Sequence, residues 1–282
     1  MCTTCGCSDD ATPRIDGVHQ HLHEHTHDHS HEHSHGEMTH SHSHNHVHDH
    51  DHDHDHSHDH DHGHLATRSI LKLEEDILAK NNLVAAENRG FFAGRKVLAI
   101  NLVSSPGSGK TSLLEETIKS MSAKKAITVI EGDQETENDA QRIRNTGVKV
   151  VQINTGSGCH LEADSVAVAI KKVDPEQGSI VFIENVGNLV CPALFDLGEA
   201  AKVAILSVTE GEDKPLKYPH MFRAATALII NKIDLLPYLK FDIEKCKENA
   251  LKVNPALRIF CLSAQTQVGM DAWYDWLIDR SK

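Results

Sequence analysis

Seven residues of mostly apolar character, Val97-Leu98-Ala99-Ile100-Asn101-Leu102-Val103, run directly into Ser104-Ser105-Pro106-Gly107-Ser108-Gly109-Lys110-Thr111, and a helix-patterned stretch follows to about Met121. A buried strand, a glycine-rich loop and a helix in that order form the βα unit of a phosphate-binding loop. Glycines let backbone N–H groups turn toward phosphate oxygens, and the helix N-terminus adds its positive end. Five further apolar runs repeat the pattern at Ala126–Ile130, Val148–Ile153, Ile180–Ile183, Val203–Val208 and Ala227–Ile230, with another at Arg258–Leu262. Strands alternating with helix-length segments predict a doubly wound, mostly parallel α/β sheet covered on both faces. In such folds ligands bind beyond the carboxyl ends of the strands.

Read as a P-loop, Ser105, Gly107, Ser108 and Gly109 surround the phosphates, Lys110 reaches the β- and γ-phosphates, and Thr111 ligates Mg²⁺, with Ser112 beside it. Ser104 stands where this motif usually has glycine; Gly107 and Gly109 still supply the backbone nearest the phosphates. After the run Ala227–Ile230 comes Asn231-Lys232-Ile233-Asp234, and Ser263-Ala264 follows the last strand. A carboxylate at Asp234 accepts from the N1–H and 2-amino group of guanine, whereas adenine has no matching donors there. The nucleotide expected is therefore GTP or GDP, with Asn231 and Lys232 bracing the loop and packing on the base. Two carboxylates end strands: Asp133 in Glu131-Gly132-Asp133, and Glu184 in Glu184-Asn185-Val186-Gly187. Either can hold Mg²⁺ through water or orient the attacking water, and surface charge at a strand end is the alternative for each. Gly187 N–H is placed to sense the γ-phosphate. No arginine finger is assignable, so unassisted turnover should be slow.

Ahead of this domain, His19–His64 alternates histidine with Asp, Ser, Glu, Gly and Thr and holds 22 of the 24 histidines. Residues 1–64 carry 13 acidic side chains and one arginine, a net of −12 out of −13, so the remainder is nearly neutral. No basic stripe suggests nucleic acid, and no run approaches a membrane span. The tail lacks the large apolar side chains that would offset the entropy of ordering, so it is expected to be disordered without metal. The division expected is a metal-binding tail over 1–66 and a GTPase domain over 67–282. Within the latter, Ser69 to about Arg89 predicts an amphipathic helix with Ile70, Leu73, Ile77 and Val84 on its apolar face.

Three clusters can bind soft or borderline metals. Cys2, Cys5 and Cys7 place three thiolates within six residues, a set suited to Ni(II), Zn(II) or Cu(I). Imidazoles of the tail bind several exchanging ions. Cys159-His160 and Cys191 lie in loops at the nucleotide end of the sheet; on residue types alone they fit a buried cysteine pair beside an ordinary histidine better than a metal centre. Cys246 and Cys261 read as structural, on a helix and a strand. Seven cysteines do not form a disulfide framework, and a reducing cytoplasm suits metal-binding thiols.

Cys-x-x-Cys-Gly-Cys, the histidine tail, Ser-Ser-Pro-Gly-Ser-Gly-Lys-Thr, Glu-Gly-Asp-Gln, Gly-Cys-His-Leu, Glu-Asn-Val-Gly-Asn-Leu-Val-Cys-Pro and Asn-Lys-Ile-Asp occur in one order. Together they resemble the HypB family, SIMIBI-class GTPases that help insert nickel during [NiFe]-hydrogenase maturation. The resemblance implies nickel at Cys2, Cys5 and Cys7, and nickel or zinc at Cys159, His160 and Cys191. It also implies a nucleotide-dependent homodimer, a HypA-type metallochaperone partner and the hydrogenase large-subunit precursor as recipient. Leu235 and Leu239, four residues apart, suit either a dimer contact or core packing. The urease accessory GTPase UreG is the nearest alternative, but it has Cys-Pro-His where this chain has Cys159-His160 adjacent. A nickel or zinc buffer, with storage in the tail and a secondary nucleotide site, is the rival from another functional class.

Overall fold

The computed structural model describes residues 14–15, 18–19, 62–134 and 138–282. The Cys2, Cys5 and Cys7 cluster and nearly all of the histidine tail lie outside the described residues. Among those described, the elements in chain order are β1 (Arg14–Ile15), β2 (Val18–His19), α1 (His62–Gly94), β3 (Leu98–Ser104), α2 (Lys110–Met121), β4 (Ile127–Asp133), α3 (Asn138–Arg144), β5 (Lys149–Asn154), α4 (Ala163–Val173) and β6 (Ile180–Glu184). They continue with β7 (Ala201–Ser207), α5 (Lys214–Lys217), α6 (Pro219–Ala224), β8 (Ala227–Asn231), α7 (Ile243–Val253), β9 (Arg258–Cys261) and α8 (Met270–Arg280).

The sheet runs β2-β1-β5-β4-β6-β3-β7-β8-β9. β3 to β9 pair in parallel throughout, and the short β1/β2 ribbon adds antiparallel to the β5 edge. All seven apolar runs become parallel strands, which gives the expected doubly wound α/β fold. From β3 the chain winds toward β4 and β5, then crosses to β7, β8 and β9 on the other side, so a crevice opens beside β3. The P-loop sits there.

Strand alternation sorts the core into layers. Leu98, Ile100 and Leu102 of β3 pack with Leu113, Ile118 and Trp273 on one face, while Ala99 packs with Val166, Ile170 and Val181 on the other. No helix of the described residues is long and apolar enough to cross a membrane.

Helix α1 departs from expectation in extent and face. It spans His62–Gly94, so the expected tail–domain boundary at 66/67 falls inside it. Among its described side chains the deeply buried ones are Asn81, Ala85, Asn88 and Phe92, whereas Ile77 and Val84 are only partly covered; Ile70 and Leu73 lie outside the described side chains. The spacing is helical, but two of the four inward residues are amides. They satisfy backbone groups of the loops beneath instead of filling an apolar seam.

Candidate nucleotide cleft and adjoining metal centre

A cleft of about 510 Å³ opens at the carboxyl ends of the strands, lined by residues 104–112, 131–134, Asp139, Arg142, Val186, Gly187 and Lys232. Gly107 and Gly109 carry φ of +76° and +92°. Lys110 and Thr111 open α2, and both converge on one oxygen of Glu184. Thr111 Oγ1 donates to Glu184 Oε1 at 2.6 Å, and Lys110 Nζ lies 3.2 Å from the same atom. Glu184 is 1% exposed, and its second oxygen, Oε2, is buried with no hydrogen-bond partner. Ser108 Oγ is likewise buried and unpartnered. Buried polar atoms are normally satisfied, so such atoms beside a phosphate-type loop suit a polar ligand and its cation.

Sequence reasoning missed Glu131. It is the register partner of Glu184 across β4 and β6, is 2% exposed, and lines the same cleft. Burial pushes its pKa up to about 9, reinforced by the charges of Glu184 and Asp133 and opposed by Lys110. Two residues on, Asp133 lies at the cleft wall, half-buried, and accepts from Gln134 N at 2.8 Å. Arg142 was missed too. It reaches the cleft from α3 but is held by Glu115 at 2.6 Å and donates to Ser112 Oγ at 3.1 Å.

The Asn-Lys-x-Asp loop is locked to the P-loop. Asn231 Nδ2 donates to Ser108 O at 3.0 Å and Lys232 Nζ to Gly107 O at 2.6 Å. Asn231 Oδ1 accepts from Lys232 N and from Ala264 N, at 2.8 and 3.2 Å. Ala264 thereby braces the base loop through its N–H, and Ser263 Oγ accepts from Thr266 N within its own turn. Asp234 Oδ1 is buried and unpartnered, an acceptor edge facing no protein donor. In the turn after it, Leu235 is partly buried against the core, while Leu239 and Tyr238 are exposed.

Cys159 and His160 belong to the loop between β5 and α4, and Cys191 begins a short 3₁₀ turn, Cys191–Ala193, beyond β6. β4 separates β5 from β6 in the sheet, so the two loops must meet across its end. Gly132 makes this possible: a Cβ there would stand 2.8 Å from the Leu161 side chain. Cys159 Sγ lies 3.1 Å from Cys191 Sγ and 3.6 Å from His160 Nδ1. The three ligand atoms all fall within 4.8 Å of one another. Burial lowers the His160 pKa to about 4, which keeps the imidazole in its neutral, ligating form at neutral pH. Its ring packs at a tilt of 36° against Phe195, and its buried Nε2 has no hydrogen-bond partner, with Glu162 Oε1 at 3.7 Å. Two thiol sulfurs and a neutral imidazole make a donor set for a borderline divalent ion.

The segment that leaves Glu184 joins the two sites. Asn185 Oδ1 accepts from Leu161 N at 3.1 Å, Asn188 Nδ2 donates to Cys159 O at 3.3 Å, and a Cβ on Gly187 would lie 3.2 Å from the Pro106 ring. One five-residue stretch thus touches the P-loop through Glu184 and Gly187 and the Cys159 loop through Asn185 and Asn188.

Residues 98–261 match the family model described as CobW/HypB/UreG, nucleotide-binding domain. The hydrogenase maturation factor HypB of Rhizobium leguminosarum bv. viciae is 60% identical over 213 residues, 76% of this chain and 71% of the relative. HypB of Azotobacter vinelandii is 51% identical over 280 residues, 98% of this chain and 91% of that one. A crystal structure of HypB from Helicobacter pylori in complex with nickel superposes with a TM-score of 0.67 at 37% identity, covering 72% of this chain and 95% of that one. The order of strands, the P-loop crevice and this span of identity together place the chain in the HypB family of hydrogenase maturation factors, within the CobW/HypB/UreG nucleotide-binding group.

Proposed function

We propose that the chain is a GTPase that takes up nickel at Cys159, His160 and Cys191 and releases it under control of its nucleotide, for insertion into the [NiFe]-hydrogenase large-subunit precursor. The observation that carries this reading is the shared segment Glu184–Asn188, bonded to the ligand loop and packed on the P-loop. Lys110 neutralises phosphate charge, Asp234 selects guanine, and Gly187 stands where a γ-phosphate would be felt. Mg²⁺, when bound, supplies the positive charge that offsets charge developing on the transferred phosphoryl group. Thr111, Glu184 and Asp133 are the residues that would hold it, directly or through water. Glu184 gives up its contacts to Lys110 and Thr111 when these turn to nucleotide, which shifts Asn185 and Asn188 and with them Leu161 and Cys159. Zinc fits the same donors. Cys2, Cys5, Cys7 and the histidine tail would gather metal for this centre. A HypA-type metallochaperone and a second copy of the chain, docked through Leu239, are the partners this cycle implies, in the cytoplasm where the thiols stay reduced.

The test follows the thiolate-to-Ni(II) charge-transfer absorption in reduced full-length protein carrying Cys2→Ser, Cys5→Ser and Cys7→Ser. Nickel affinity should differ between the GDP form and the non-hydrolysable GTP-analogue form by roughly 5- to 150-fold, the range of ordinary allosteric coupling. Cys159→Ala should remove the signal in both. Equal affinities in the two nucleotide forms would separate metal from GTP within this domain and leave storage as the better account.

A further inference from the structure

We infer that Asn81 and Asn88 of α1 are positioning residues of the metal centre: together they clamp the two ligand-bearing loops against each other. The inference rests on the reading of Cys159, His160 and Cys191 as a metal site, and extends it to residues that touch none of the three.

Asn81 Nδ2 donates to Asp196 O at 2.8 Å, and its Oδ1 accepts from Ala163 N at 2.8 Å. One turn-pair further, Asn88 Nδ2 donates to Ala163 O at 2.8 Å and to Leu197 O at 3.1 Å. Ala163 lies three residues after His160; Asp196 and Leu197 follow Cys191 by five and six. Each amide therefore bonds to both segments, although nothing in the sheet pairs β5 with β6. The two side chains are 6% and 4% exposed, so water cannot replace the lost partners. Phe195, whose ring lies 4.0 Å from that of His160, immediately precedes Asp196. Arg89, on the same helix, adds an ion pair to the Asp196 carboxylate, and Lys202 anchors the Cys191 side by donating to Pro192 O and Phe195 O.

This bonding has a chemical consequence. Two thiolates near 3 Å apart repel once deprotonated, and a loop pair held only by Leu161 packing and the bonds of Asn185 and Asn188 is freer to spread. A pair tied to one rigid helix keeps its ligand atoms within reach of one ion, and such outer contacts typically alter metal affinity 10- to 100-fold when removed. Packing alone would explain one amide satisfying nearby carbonyls. It does not explain two amides, seven residues apart, each bridging the same two loops.

The experiment compares Asn81→Ala and Asn88→Ala with Asn254→Ala, all in full-length chain with Cys2, Cys5 and Cys7 changed to serine. Asn254 makes the same kind of amide-to-carbonyl bond, to Phe222 O and Ala225 O, and its side chain bonds to neither ligand-bearing segment. Chelator competition should show Ni(II) bound at least 10-fold more weakly in the first two variants, with a shifted or weakened thiolate-to-Ni(II) band. Asn254→Ala should leave both readouts unchanged even if its melting temperature falls as far. Should Asn81→Ala not fold, Asn81→Asp keeps the acceptor for Ala163 N, loses the donor to Asp196 O, and should lose affinity in the same direction. Wild-type affinity and spectrum in the Asn81 and Asn88 variants would overturn the clamp while leaving the metal site standing. A parent protein with no Cys159-dependent band would instead remove the metal reading itself, and the clamp with it.

Discussion

Asp234→Asn should weaken GDP binding by about 10²- to 10⁴-fold. Asp234 Oδ1 is a buried carboxylate oxygen without a protein donor, on a loop tied to the P-loop through Asn231 and Lys232. Guanine brings two donors, N1–H and the 2-amino group. Hydrogen bonds to a charged partner contribute roughly 1.5–3 kcal/mol each; asparagine keeps only a neutral acceptor for N1–H and none for the 2-amino group, so with the unpaired donors the change amounts to about 3–6 kcal/mol, at about 1.4 kcal/mol per tenfold. The amide also turns an N–H₂ toward the 2-amino group, setting donor against donor. A xanthine base, with a carbonyl at position 2, presents an acceptor there. The variant should therefore bind xanthosine diphosphate more tightly than GDP, reversing the wild-type order. Fluorescence titration with both nucleotides checks this; GDP affinity within threefold of wild type would mean that Asp234 does not read the base.

The parts of the fold that sequence made legible are those whose signal is local. Ile180–Ile183 and Ala227–Ile230 are buried on both faces, so each reads as an unbroken apolar run ending in residues of the candidate site. The P-loop is legible for the same reason, since strand, glycines and helix are contiguous. Convergence was harder to read. Cys159 and Cys191 are 32 residues apart, on loops after strands that are not neighbours, and their meeting depends on Gly132 leaving room for Leu161. No periodicity encodes that. The clamp was hidden because an apolar-face reading counts Asn81 and Asn88 as solvent-facing, although buried asparagine is suited to bonding loop backbones. Glu131 was hidden by its position: one residue past Ile130, it resembles the charge that closes a strand, yet β4 continues through it to Asp133. Arg142 has no motif around it, and only the packing of α3 beside α2 brings it to the cleft.

Glu131→Gln should make the nucleotide-free protein more stable, and increasingly so as pH rises. Burial, then the charges of Glu184 and Asp133, raises the folded-state pKa of Glu131 to about 9, against the ordinary value of 4.5. Below about pH 4.5 both folded and unfolded chains carry the proton, and the group adds no pH dependence. Between the two values the unfolded chain has released a proton that the folded chain retains. The unfolded state then binds fewer protons, so stability falls with rising pH, by up to about 1.4 kcal/mol per unit. From pH 5.5 to pH 8 this amounts to at most roughly 3 kcal/mol, and above pH 9 the loss levels off. Glutamine has the same shape and does not titrate, so its advantage should be small at pH 5.5 and largest at pH 8. Urea denaturation of both proteins at the two pH values measures the difference. Parallel pH dependence in wild type and variant would show that Glu131 does not carry a proton in the folded state. The expected divergence would mean that wild type keeps a destabilising carboxyl in register with Glu184, which points to a role in the cleft's chemistry that packing cannot supply.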